Sequence, residues 1–135
     1  MIKLITGKKG TGKTKILIDQ INEAVKSTNG DLVCIEKGDN IRRSISFRVR
    51  WCDTERFSIE GVDAFYGFVA GMLAGNYDIK DVFVDGILKI GGKDFDAFGK
   101  MLDKLAALTG DATTVVFTVS ANNNDMPASV TKYVG

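Results

Sequence analysis

The sequence contains no histidine, and this absence excludes more than any other feature of its composition. It removes Ser-His and Cys-His nucleophile pairs, phosphohistidine chemistry and imidazole bases. Any proton transfer falls to carboxylates, lysine or water. Cysteine is nearly as scarce: Cys34 and Cys52 are the only two, with no C-x-x-C spacing, which argues against a zinc site. Cys34 lies inside the apolar run DLVCIE and reads as a small buried hydrophobe. There is one proline, Pro127, and no linker, repeat or low-complexity tract. No stretch approaches the about 18 consecutive apolar residues that a membrane span needs. The net charge is only +1, so the overall balance calls for neither nucleic acid nor an acidic partner. A strand pattern begins at Ile2 and leaves no room for a cleavable leader, which points to a cytoplasmic protein.

What is present fits one globular domain over residues 1–135, with 44% hydrophobic and 26% charged residues and enough length to bury a core without staples. Four runs read as strands: Ile2–Thr6, Asp31–Glu36, Asp81–Asp85 and Thr113–Ser120. Three are almost continuously apolar, the pattern of strands buried on both faces of a parallel sheet. Between them lie helical faces. Ile16, Leu17, Ile21, Ala24 and Val25 form the first, and Val62, Phe65, Val69 and Leu73 the second. Phe95, Phe98, Leu102, Leu105 and Leu108 form a third, opened by Asp94 as N-cap and closed by Gly110. Alternation of this kind predicts an α/β fold of three layers, α/β/α, with a mainly parallel sheet of four to five strands. Ser44–Asp53 (SISFRVRWCD) breaks the rhythm by alternating Ile45, Phe47, Val49 and Trp51 with polar residues. That pattern suits a strand at a sheet edge, and the turn-like KGDN before it suggests an edge hairpin over residues 31–53.

One octet carries chemistry. Gly7-Lys8-Lys9-Gly10-Thr11-Gly12-Lys13-Thr14 matches G-x-x-x-x-G-K-[ST] at every fixed position, directly after a strand and before a helix. Glycines let such a loop turn its backbone N–H groups inward as a cradle for phosphate oxygens at a helix N-terminus. The alternative is a glycine-rich turn with solvated lysines, which a strand before and a helix after make the poorer account. The octet resembles the Walker A loop of the P-loop NTPases. The chain as a whole also resembles small bacterial ATP-binding proteins, some labelled twitching-motility ATPases. That label does not transfer, because motility ATPases are much longer and carry histidine-bearing motifs. The resemblance implies ATP and Mg²⁺ as ligands, with Gly7 through Lys15 around the phosphates. It implies that Lys13 reaches the β- and γ-phosphates in a catalytic role and that Thr14 ligates the metal. A metal-partner carboxylate would end a neighbouring apolar strand, and Asp85, ending VFVD about 70 residues downstream, fits. Asp81 reads better as a strand-end charge.

The machinery for turnover is thinner. Many ATPases of this superfamily place a glutamate after that aspartate, and here the position is Gly86. Glu36, ending the second strand, is the candidate catalytic carboxylate, against the plainer reading of an ordinary strand-end charge. Ser120 or Asn122 would stand where the superfamily senses the γ-phosphate, although turn-forming asparagines explain that stretch equally well. Asn122-Asn123-Asn124-Asp125 lacks the lysine of the guanine motif N-K-x-D, so ATP is favoured over GTP. Lys8 resembles the lysine of the deviant Walker A of chromosome-partition ATPases, but Lys9 departs from that pattern. Arg42, Arg43, Arg48, Arg50 and Arg56 form a solvated basic edge, supply an arginine finger in trans or hold a phosphate-bearing second ligand; no nucleic-acid motif accompanies them. Gly67, Gly71 and Gly75 recur on one helical face, the mark of close helix packing or of a homodimer contact. Three function classes follow: a slow or partner-dependent ATPase, a regulatory adaptor switched by nucleotide and acting on a protein partner, and a small-molecule kinase. The first accounts for the residues best, and the last is weakest because no lid-like insertion with paired arginines is present.

Overall fold

In the computed structural model, which describes residues 1–135, five strands form one sheet: β1 (Ile2–Gly7), β2 (Asp31–Glu36), β3 (Arg50–Asp53), β4 (Ile79–Asp85) and β5 (Thr114–Ser120). Their spatial order is β1-β5-β4-β2-β3, and every neighbouring pair is parallel. The helices are α1 (Lys13–Ser27), α2 (Val62–Gly75), α3 (Ile87–Gly91), α4 (Phe95–Thr109) and α5 (Ala128–Thr131). No helix is long and apolar enough to cross a membrane.

The near-continuous apolar strands are explained by what covers each face. On one side Leu17 and Ile21 of α1 rest on Leu32, Cys34, Phe83 and Val116, and Ile41 and Val49 seal the margin. Leu17 and Ile21 are both fully buried, and each such side chain is worth about 1.5–3 kcal/mol. On the other side α2, α3, α4 and α5 enclose a larger core around Phe65, Phe98 and Phe117, whose rings lie 5.9 and 6.1 Å apart. The α4 helix starts as its sequence predicts, with the Asp94 carboxylate accepting from Ala97 N–H at 3.1 Å, and stops at Gly110 with φ +51°.

Three expectations are corrected. Residues 31–53 do not form a hairpin: β3 is an edge strand, but it runs parallel to β2, in register from Val33–Arg50 to Glu36–Asp53. Only Arg50–Asp53 is strand, because the segment before it is turned. Arg42–Ser44 is one 3₁₀ turn, Val49 N–H donates to Ser46 O, and Arg48 N–H donates to the Ser46 hydroxyl. Phe47, assigned to the apolar face of an alternating strand, is accordingly 98% exposed. Finally, a Cβ added at Gly67, Gly71 or Gly75 would meet nothing within 4 Å, so the glycine stripe of α2 faces solvent and packs against no element of the chain.

Candidate phosphate-binding site

Parallel strands place all their carboxyl ends on one edge of the sheet, and the crevice there is where open α/β sheets hold ligands. Five side chains stand abreast near that edge. Ile5 pairs with Thr118, Asp85 pairs with Glu36 and Glu36 with Asp53, while Thr118 Oγ1 donates to Asp85 Oδ1 at 2.8 Å across β5 and β4. The loop from Gly7 to Lys13 rises just beyond this row.

Its backbone is built by three glycines at positive φ: Gly7 (+149°), Gly10 (+84°) and Gly12 (+86°). A Cβ at Gly7 would come within 2.7 Å of the Thr11 hydroxyl, so the close turn needs glycine there. Gly12 occupies the N-cap of α1, and no side chain caps that helix. The consequence appears in the hydrogen-bond pattern. From Lys8 to Lys15, eight consecutive backbone N–H groups donate to no protein acceptor, whereas in α4 the Asp94 carboxylate takes up the Ala97 N–H of the first turn.

Lys13 lies in the middle of this array, only 7% exposed. Its ammonium donates to Lys8 O at 2.8 Å, as does the Thr11 hydroxyl at 2.7 Å, and no carboxylate lies within 4.0 Å of it. Burial pushes its pKa below the usual lysine value, while the charge of Asp85 pulls the other way. Thr14 Oγ1 donates to both oxygens of Asp85, at 3.1 and 3.3 Å. Asp85 is half-buried and is oriented from its other side by Thr118, whose hydroxyl also accepts from Gly86 N–H at 2.7 Å. A carboxylate and a hydroxyl facing each other beside a row of free backbone N–H groups have the donor chemistry that suits a hard cation keeping most of its waters, as Mg²⁺ does.

Of the other residues singled out from the sequence, Lys8 and Lys9 are exposed, and the Lys15 ammonium turns outward to Asp19 at 3.3 Å, so Lys15 offers the site only its amide. Ser120 is exposed and in register with Gly7, and Thr6 donates to the side chain of Asn123 beside it. Glu36 stands next to Asp85 but is 1% exposed, with every contact turned inward. Its Oε1 accepts from Asn40 N–H at 3.0 Å, and its Oε2 from Ile41 N–H at 3.1 Å and from the Trp51 indole at 2.8 Å. The Arg42 guanidinium lies 4.7 Å from the centre of the same indole ring. Asp53 closes the adjacent loops by accepting from Gly38 N–H and Glu55 N–H. The five arginines have no carboxylate partner within 4.0 Å. Thr118 escaped sequence reasoning; its only signal is one hydroxyl within the apolar run VVFTV.

No family model matches this chain, and no curated protein matches it either.

Proposed function

We propose that the protein binds a nucleoside triphosphate, ATP by preference, together with Mg²⁺, and turns it over slowly or only with a protein partner. The observation that carries the reading is the run of eight unengaged N–H groups, Lys8 to Lys15, wrapped around a buried ammonium without a carboxylate partner. Such an array, at the positive end of a helix dipole, offers donors for an anion with several oxygens. The likeness of Gly7–Thr14 to the Walker A loop of P-loop NTPases supports the same assignment. In this reading the loop amides hold the phosphate oxygens, and Lys13 moves from Lys8 O to the terminal phosphates. Thr14 and Asp85 would hold the cation, which would neutralise phosphate charge. Thr118 keeps the Asp85 carboxylate aimed at Thr14.

Slow turnover follows from the neighbouring carboxylate. Glu36 is engaged by three donors, so it is poorly placed to take a proton from water, and Gly86 supplies no side chain. A nucleotide-switched adaptor without turnover is therefore the second reading. We place the protein in the cytoplasm, in keeping with two free, buried cysteines. Thermal unfolding and phosphate release with ATP or GTP, each with and without Mg²⁺, test the assignment on the wild type and Lys13→Ala. ATP with Mg²⁺ at 100 times its Kd should stabilise the wild type by about 2.7 kcal/mol and leave the variant unchanged. No shift with any nucleotide would overturn it.

A further inference from the structure

All five arginines of the chain fall between residues 42 and 56, around a strand that has no neighbour on one side. Thr54 N–H donates to Glu36 O on β2 at 2.9 Å. By the alternation of a parallel ladder, this turns the backbone of Cys52 toward β2 and that of Trp51 and Asp53 toward the open edge. Each face of this edge strand borders a depression. On the α2 side is a groove of about 590 Å³ floored by Val33, Cys52, Phe57, Phe68, Met72 and Ile79. On the α1 side is a hollow of about 510 Å³ lined by Ile45, Phe47, Val49 and Trp51. Arg48 and Arg50 line both. The single carboxylate at the first groove, Asp31, has its Oδ2 occupied by Asn76 Nδ2 at 2.9 Å.

We propose that β3 is a docking edge for an extended segment of a partner protein in which apolar side chains alternate with carboxylates. A strand laid along β3 would pair with its outward backbone groups and send alternate side chains to the two faces, one set into each depression. Carboxylates on that segment would meet Arg48 and Arg50, which have no acidic partner in the chain itself. Exposed Phe47 and Phe57, at 98% and 54%, add apolar area at the rims. Neither the loop Gly7–Thr14 nor its ligand enters the argument, so this surface stands or falls independently of nucleotide binding.

The test uses the intact chain and a fluorescent eight-residue peptide alternating valine with glutamate. Its controls are the same peptide with glutamine for glutamate, the same peptide N-methylated at alternate residues, and a dT12 oligonucleotide. The acidic peptide should bind, shift the Trp51 emission and weaken as salt is raised. Arg48→Gln with Arg50→Gln should cut its affinity about tenfold or more while leaving the thermal midpoint of the free protein within experimental error. The N-methylated peptide, which needs no variant of the protein, should fail to bind. Equal binding of the methylated and unmethylated peptides would overturn strand addition, and equal binding of the glutamine peptide would overturn the role of the arginines. Tighter binding of dT12 would make the basic edge a nucleic-acid surface instead. Self-association of the chain that the two glutamine substitutions abolish would make the occupant a second copy.

Discussion

Asp85 and Glu36 are register neighbours on adjacent parallel strands, yet the molecule uses them in opposite ways. Asp85 is half-buried and held by two hydroxyls, Thr14 and Thr118, one of which opens on the Gly7–Lys13 loop. Glu36 is sealed and held by two backbone amides and an indole, which fix the turn after β2 and the edge strand β3. Hydroxyl partners can be exchanged for a cation at little cost, because each can reorient toward another acceptor. Amide donors buried with their acceptor cannot, so a carboxylate held by them serves the fold. Position alone, at the end of a strand beside the glycine-lysine loop, does not assign a carboxylate its role; its donors do.

This contrast can be broken by substitution. The largest effect is expected for Glu36→Ala, which removes the acceptor of three donors, one of them fully buried, and should cost about 3 kcal/mol in urea unfolding. Asp85→Asn should change the stability of the free protein by less than about 1 kcal/mol. It should nonetheless remove the Mg²⁺-dependent part of the ATP-induced shift, a loss of up to about 2.7 kcal/mol at 100 times Kd. If the two substitutions exchanged these effects, the division of labour would be reversed. Thr118→Val sharpens the comparison, because it leaves Thr14 in place and deletes the second hydroxyl and the acceptor of Gly86 N–H. A cost of about 1–2 kcal/mol in stability and a weakened metal dependence are expected, read by the same titrations. The smallest effect concerns Lys13. Burial holds its folded pKa below the usual lysine value of 10.5, so between that lowered pKa and 10.5 the unfolded chain binds more protons. Stability should therefore rise with pH through this window in the wild type relative to Lys13→Met, a difference that paired denaturation curves at several pH values would measure.

The two regions also differ in how far they could be read from the sequence. The glycine-lysine loop is contiguous, and its glycines stand where the backbone turns through positive φ, so its conformation follows from eight letters. The sheet was legible because strands covered on both faces must be apolar throughout. The edge was not, since Ile45, Phe47, Val49 and Trp51 reproduce strand alternation by accident in a segment bent by Ser46 and the 3₁₀ turn at Arg42–Ser44. Glu36 was legible as a strand end but not as an organiser, because its donors arrive from positions 40, 41 and 51. Thr118 meets Asp85 only once the register of β4 on β5 is known.

The strand that carries the loop has one sheet neighbour, β5, with Ile2 opposite Val115, and touches the chain on its other edge only through a single bridge from Leu4 to Val134. During synthesis the ribosome releases β1 first and can supply its partner only after more than a hundred further residues, on the order of ten seconds later at ordinary elongation rates. The three strands β2, β3 and β4 can assemble among themselves in the meantime. The loop therefore acquires its anchorage late: a nascent chain halted before residue 114 carries the whole glycine-lysine octet yet lacks both the strand that clamps it and the hydroxyl that aims Asp85.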